Sequence, residues 1–251
     1  MRFYGKTDIG LKRRNNQDSY AVFARDGYVC AIVCDGMGGA KGGNIASGTA
    51  VKAFASVIRK AFSAKDPAAS DARAVKTLLR SAADAANKAV YEKAIADEEL
   101  DGMGTTIVAA ICTEAGCFAI NIGDSRLYKR TAAGIKQVSK DHSFVQYLID
   151  KGEISQAEAA FHPNKNIILR ALGVNSTVEG DCYTIKDFEQ LLLCTDGLTN
   201  HLSDLRIEEI ITLQNANGRK ASLKARVDRL IEEANSEGGS DNITAVLIEK
   251  D

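Results

Sequence analysis

Gly104-Thr105-Thr106-Ile107-Val108-Ala109-Ala110-Ile111-Cys112-Thr113-Glu114-Ala115-Gly116-Cys117-Phe118-Ala119-Ile120-Asn121-Ile122-Gly123-Asp124-Ser125-Arg126-Leu127-Tyr128-Lys129-Arg130-Thr131-Ala132-Ala133-Gly134-Ile135-Lys136-Gln137-Val138 is the stretch that decides the fold class. Four strand-like runs occupy residues 104–112, 116–122, 127–130 and 134–138. The links Thr113-Glu114-Ala115 and Thr131-Ala132-Ala133 are too short for a parallel crossover, so these strands are expected to be antiparallel.

Working upstream, residues 19–24 and 28–34 read as two strands joined by a turn at Asp26-Gly27. The second is apolar throughout, as in a strand buried on both faces. Two helical patterns follow. Ala50, Val51, Phe54, Val57, Ile58, Ala61 and Phe62 form one apolar stripe, and Val75, Leu78, Leu79, Ala82, Ala86, Ala89 and Val90 another. Asp66-Pro67 separates them, and Ser70 is the predicted N-cap of the second. Downstream, a helical region is predicted over about 142–172, with a capping box at Ser155-Gln156-Ala157-Glu158. Strands are predicted at 181–185, 189–195 and 243–248, and helices at 203–213 and 222–234. Hairpins in blocks with helices inserted in pairs indicate an α+β fold with antiparallel sheets. No linker divides the 251 residues, so one domain over 1–251 is expected.

Composition narrows the function classes. Charged residues make up 26% of the chain and the net charge is −1, which argues against a nucleic-acid partner. No signal-peptide pattern opens the sequence, and no apolar run approaches the roughly 20 residues that span a bilayer. The six cysteines form no CxxC pair and mostly sit in apolar runs; they read as buried free thiols of a cytoplasmic protein.

The chemistry-bearing pattern is acidic. Three apolar strands each end on aspartate plus a small residue: Asp35-Gly36, Asp124-Ser125 and Asp196-Gly197. Asp18 and Asp241 stand at the starts of two others. A single Asp-Gly is ordinary turn chemistry. Five carboxylates aimed at one point would repel, and a divalent cation resolves that repulsion. All-oxygen ligands without His or Cys favour Mg²⁺ or Mn²⁺ over zinc. Spacing alone does not establish that the five converge.

Seven blocks, in order over about residues 7–248, resemble the bacterial form of the metal-dependent protein serine/threonine phosphatases of type 2C. They are Gly10-Leu11-Lys12-Arg13-Arg14-Asn15-Asn16-Gln17-Asp18, Asp35-Gly36-Met37-Gly38-Gly39, Gly104-Thr105-Thr106, Gly123-Asp124-Ser125-Arg126, Lys140-Asp141-His142-Ser143, Cys194-Thr195-Asp196-Gly197-Leu198 and Ser240-Asp241-Asn242-Ile243-Thr244. The resemblance implies an α-β-β-α sandwich, two central antiparallel sheets flanked by helix pairs, with a flap subdomain at about 144–178. It implies two Mn²⁺ or Mg²⁺ ions and a third, weaker one. Asp35 is then the bridging carboxylate, the Gly36 carbonyl a ligand of the second ion, and Asp196 and Asp241 ligands of the first. Asp124 helps hold the third ion, and Asp18 orients metal-bound water. Arg13 grips the substrate phosphate, five residues ahead of Asp18.

The chain departs from many relatives at two places. Met37 stands where a eukaryotic histidine follows the bridging Asp-Gly, leaving a metal-bound water, His142 or His162 as candidate proton donors. Gln17 stands where many members carry Glu. The implied activity is hydrolysis of phosphoserine and phosphothreonine in proteins by in-line attack of a metal-bridging water. The enzyme is expected to be a cytoplasmic monomer that opposes a serine/threonine kinase, with no membrane partner. Two other classes stay open: a non-catalytic phosphoprotein-binding relative, and a two-metal hydrolase of other phosphoesters.

Overall fold

The computed structural model describes residues 1–25, 27–63, 71–113 and 116–250. Two antiparallel sheets form its centre. One has the order β1 (Arg2–Asp8), β11 (Ile243–Glu249), β10 (Gln190–Cys194), β7 (Arg126–Thr131), β8 (Gly134–Gln137). The other runs β2 (Asp18–Arg25), β3 (Tyr28–Met37), β5 (Ile107–Thr113), β6 (Gly116–Ile122), β9 (Asp181–Ile185), with the short β4 (Gly104–Thr105) added to the end of β3. Every strand pair is antiparallel, as the three-residue links require.

Side-chain alternation sorts the core into three layers. On β3, Val29, Ala31 and Val33 face the sheet of β10 and β11, whereas Cys30, Ile32 and Cys34 face α1 (Gly39–Ser63) and α2 (Ala72–Ala96). On β10, Leu191 and Leu193 point between the sheets, while Leu192 and Cys194 meet the layer of α5 (Asp196–Thr199), α6 (Asp204–Ile211) and α7 (Leu223–Ser236). Central strands therefore bury both faces, and their sequences are apolar throughout rather than alternating. Each fully buried aliphatic side chain contributes roughly 1.5–3 kcal/mol. The result is the α-β-β-α sandwich expected from the sequence.

The differences have physical reasons. β1 has no apolar alternation to announce it; it is a half-buried edge strand held by seven register pairs to β11. α1 begins at Gly39, inside a glycine-rich stretch of poor helix propensity. The predicted strand 104–112 is two, broken at Thr106. The predicted helical region 142–172 holds only α3 (Phe144–Asp150) and α4 (Gln156–Ala159), the latter with the Ser155–Glu158 capping box in place. Asp71 caps α2, accepting from Arg73 N and Ala74 N. The predicted cap Ser70, the break Asp66-Pro67 and the turn residue Asp26 lie outside the described residues.

Candidate active site

β2 and β3 pair in a register that sets Asp18 opposite Asp35. Across the sandwich, β10 and β11 are neighbours. Asp196, just past the end of β10, and Asp241, just before β11, therefore emerge at the same edge. Asp124 follows β6. Asp35, Gly36, Asp124, Asp196, Asp241, Arg13, Gln17 and Met37 line one cavity of about 500 Å³. A second, of about 220 Å³, shares Asp124 and Asp196 and is walled by Gln146, Gln156 and Asn166 from the 144–178 segment.

Asp18 lies behind that cavity, 7% exposed, and ties the two sheets together. Its Oδ2 accepts from Thr195 Oγ1 at 2.9 Å, just past β10, and from Thr244 Oγ1 at 2.7 Å, in β11 of the opposite sheet. Burial pushes its carboxyl up to about 7, against those two hydrogen bonds. Burial likewise raises Asp35 well above the carboxylate range, reinforced by Asp18, Asp196, Asp124 and Asp241. Asp124 rises to about 8, through burial and then Asp196. Asp196 rises through burial and then Asp241, eased by hydrogen bonds with Asp35 and Asn200.

Among the described residues, three buried carboxylate oxygens have no hydrogen-bond partner: Asp18 Oδ1, Asp124 Oδ1 and Asp196 Oδ1. Leaving such oxygens unpaired is costly unless a cation or polar ligand meets them. Among the described residues, no three acidic, histidine or cysteine groups close on a single point. The acids instead stand around the cavity, and Arg13 holds one of them: its Nη2 donates to Asp241 Oδ2 at 2.7 Å. Crowded all-oxygen donors with unpaired lone pairs fit a hard divalent cation.

The family's sequence model, described as Protein phosphatase 2C, matches residues 12–247. The chain belongs to the protein phosphatase 2C family. It is 39% identical over 249 residues to the serine/threonine phosphatase stp of Listeria monocytogenes, covering 98% of this chain and 94% of that one. The solved structure of the S. agalactiae serine/threonine phosphatase superposes with a TM-score of 0.87 at 32% identity, covering 99% of both chains. The catalytic domain of serine threonine protein phosphatase PstP, solved in complex with 2 manganese ions, gives 0.80 at 32% identity, covering 99% of this chain and 97% of that one.

The structure gives several of the residues named from the sequence of this phosphatase 2C definite contacts. Gly36 lies within β3, which continues to Met37. Its need for glycine is a close approach: a Cβ there would sit 2.0 Å from Gly43 O of α1. Gln17 Nε2 donates to Gly39 O, so its amide fixes the start of α1. His142 does not line either cavity. It is 8% exposed, and its Nδ1 accepts from Gly123 N–H at 3.1 Å, steadying the turn that carries Asp124. Burial lowers its pKa, against the hydrogen bond with Asp181. His162 packs on Phe144, with Nδ1 accepting from Asn164 N–H.

Sequence reasoning missed the supports. Asn242, 4% exposed, accepts from Gln17 N–H and donates to Ile9 O and Asn15 O, so it holds the loop that carries Arg13. Asn200 Nδ2 donates to Asp196 Oδ2 at 3.0 Å. Thr195, Thr244 and Asn242 all stood inside the quoted blocks; short polar residues flanking a strand-end aspartate were the available signal.

Proposed function

We propose that this phosphatase 2C hydrolyses phosphoserine and phosphothreonine with two divalent cations, Mn²⁺ or Mg²⁺, held by Asp35, the Gly36 carbonyl, Asp196 and Asp241, and a third ion at Asp124. The observation that carries the assignment is the set of buried, unpaired carboxylate oxygens at the edge of the sandwich. When bound, such ions offset the acids' mutual repulsion, polarise the phosphoryl oxygens and make water a competent nucleophile at neutral pH.

The chain's own groups do the positioning. Asp18, with Oδ2 fixed by two threonines and Oδ1 left without a partner, would orient metal-bound water from behind the cavity. Arg13 presents a planar guanidinium that grips two phosphate oxygens at once. No thiol serves as nucleophile: burial raises the pKa of Cys30, Cys34, Cys117, Cys182 and Cys194, and none of the six lines the catalytic cavity. The intact acid set speaks against a non-catalytic phosphoprotein-binding role.

The 1–251 chain acts as one catalytic domain with residues 144–178 as its flap, a monomer in the cytoplasm that opposes a serine/threonine kinase. No helix among the described residues is long and apolar enough to cross a membrane. The test is turnover of para-nitrophenyl phosphate and a phosphothreonine peptide with manganese, with magnesium and with EDTA. Activity with metal that vanishes on chelation and in Asp241→Ala, whose circular dichroism is unchanged, supports the site. Near wild-type turnover in Asp241→Ala overturns the ligand assignment.

A further inference from the structure

His201 lies two residues beyond α5, the helix that Asp196 opens. Its ring is cupped by the backbone from Glu237 to Ser240, the loop that delivers Asp241. Nδ1 lies 3.1 Å from Glu237 O, and Nε2 lies 3.0 Å from Ser240 N and 2.9 Å from Ser240 Oγ. A carbonyl only accepts, so Nδ1 carries the proton. A backbone N–H only donates, so Nε2 is bare. One neutral tautomer satisfies every contact. The loop curls around the ring through Gly238, at φ +129, where a Cβ would stand 3.3 Å from His201 Cε1.

The neighbouring residue completes the arrangement. Asn200 donates to Asp196 Oδ2, while His201 fixes the loop just ahead of Asp241. Two consecutive side chains thus hold the two acids assigned to one cation. The same loop reaches further, because Gly239 O accepts from Leu11 N–H in the segment that carries Arg13.

We propose that His201 is a positioning residue that sets the separation of Asp196 and Asp241 and so the affinity of that pair for a divalent cation. The proposal rests on the reading of these two aspartates as cation ligands. It is tested by calorimetric titration of metal-stripped protein with manganese, for wild type and for Asp241→Ala, His201→Ala, His201→Asn and His201→Gln. His201→Ala is expected to weaken manganese binding about tenfold, the lower end of what loss of an outer-shell partner does. His201→Gln, whose amide oxygen reaches the Nε2 position and accepts from Ser240 N–H, is expected to restore most of it. His201→Asn keeps only the Glu237 contact and is expected to bind as weakly as Ala. If Ala does not fold, the Asn and Gln pair decides.

Wild-type affinity in Ala or Asn, or equal losses in Asn and Gln, overturns the role of the imidazole. Wild-type affinity in Asp241→Ala overturns the ligand reading itself, so the two failures are distinguishable.

Discussion

Asp18→Asn is expected to stabilise the fold while impairing catalysis. The Asp18 carboxyl rises from the ordinary 3.8 to about 7, chiefly through burial. That is about three decades in proton affinity, or about 4 kcal/mol at 1.36 kcal/mol per decade. The sign is set by the raised value. The folded state holds the proton more tightly, so the penalty is absent below 3.8, grows as pH rises and is complete above about 7.

Asparagine removes the charge and keeps an oxygen for Thr195 and Thr244. Its amide nitrogen then takes the place of the unpaired Oδ1, at a cost of roughly 1–3 kcal/mol. The net gain at pH 8 is therefore about 1–3 kcal/mol, with each kcal/mol raising Tm by about 2–4 °C in a chain of this size. From pH 8 to pH 5, two decades below the raised value, the advantage should shrink by about 3 kcal/mol. Urea unfolding in EDTA at both pH values measures it. Destabilisation at pH 8, or a gain that does not change with pH, refutes the reasoning.

Three other substitutions test separate parts of the structure. Arg226, 1% exposed, donates to both oxygens of Glu249 and to Ile211 O. Arg226→Ala should cost about 3 kcal/mol in urea unfolding, the low end for breaking a buried pair, because Arg2 and Lys220 still reach Glu249. Burial alone would raise Glu249, but Arg226, Gln190 and Lys220 hold it down to about 2. Its contribution is therefore full above the ordinary 4.5 and lost as pH falls toward 2, which an acid titration of stability follows. Gly36→Ala forces a Cβ onto backbone atoms of α1 and β2's approach; a loss of about 1–3 kcal/mol is expected, and an unchanged Tm would contradict it. Arg13→Ala should raise KM for a phosphothreonine peptide. The Arg13–Asp241 contact links the same arginine to metal binding. Removing a half-exposed pair worth about 0.2–1 kcal/mol should tighten manganese binding by no more than about fivefold, read by calorimetry.

The central strands were legible because burial on two faces forces unbroken apolar runs such as residues 29–34 and 191–194, whereas their stacking into a sandwich was implied only by the family resemblance. The antiparallel pairing was legible because three residues cannot carry a crossover. β1 was not, since an edge strand of Phe, Tyr, Gly, Lys and Thr takes its conformation from β11 rather than from its own pattern. The aspartates were visible as strand-end residues, but their convergence depends on which strands neighbour one another, and that is a tertiary fact. Arg13 was singled out over Arg14 only through a family resemblance. His201 was invisible, because nothing local relates it to a loop that lies 36 to 39 residues away.

β1 and β11 are paired along their full length, although one lies near each end of the described chain. The contacts of the site inherit that separation: Arg13 and Asp241 are 228 residues apart, and Asp18 and Thr244 are 226. A chain emerging from the ribosome therefore carries Asp18 and Asp35 long before it carries their partners. Docking of β11 fills the place between β1 and β10 and brings Asp241 to Arg13 and Thr244 to Asp18 in the same step. Such a topology delays folding, because distant segments must close before any contact rewards them. It also makes the site depend on segments from both ends of the described chain, since the strands β1–β3 alone bring neither Asp241 to Arg13 nor Thr244 to Asp18.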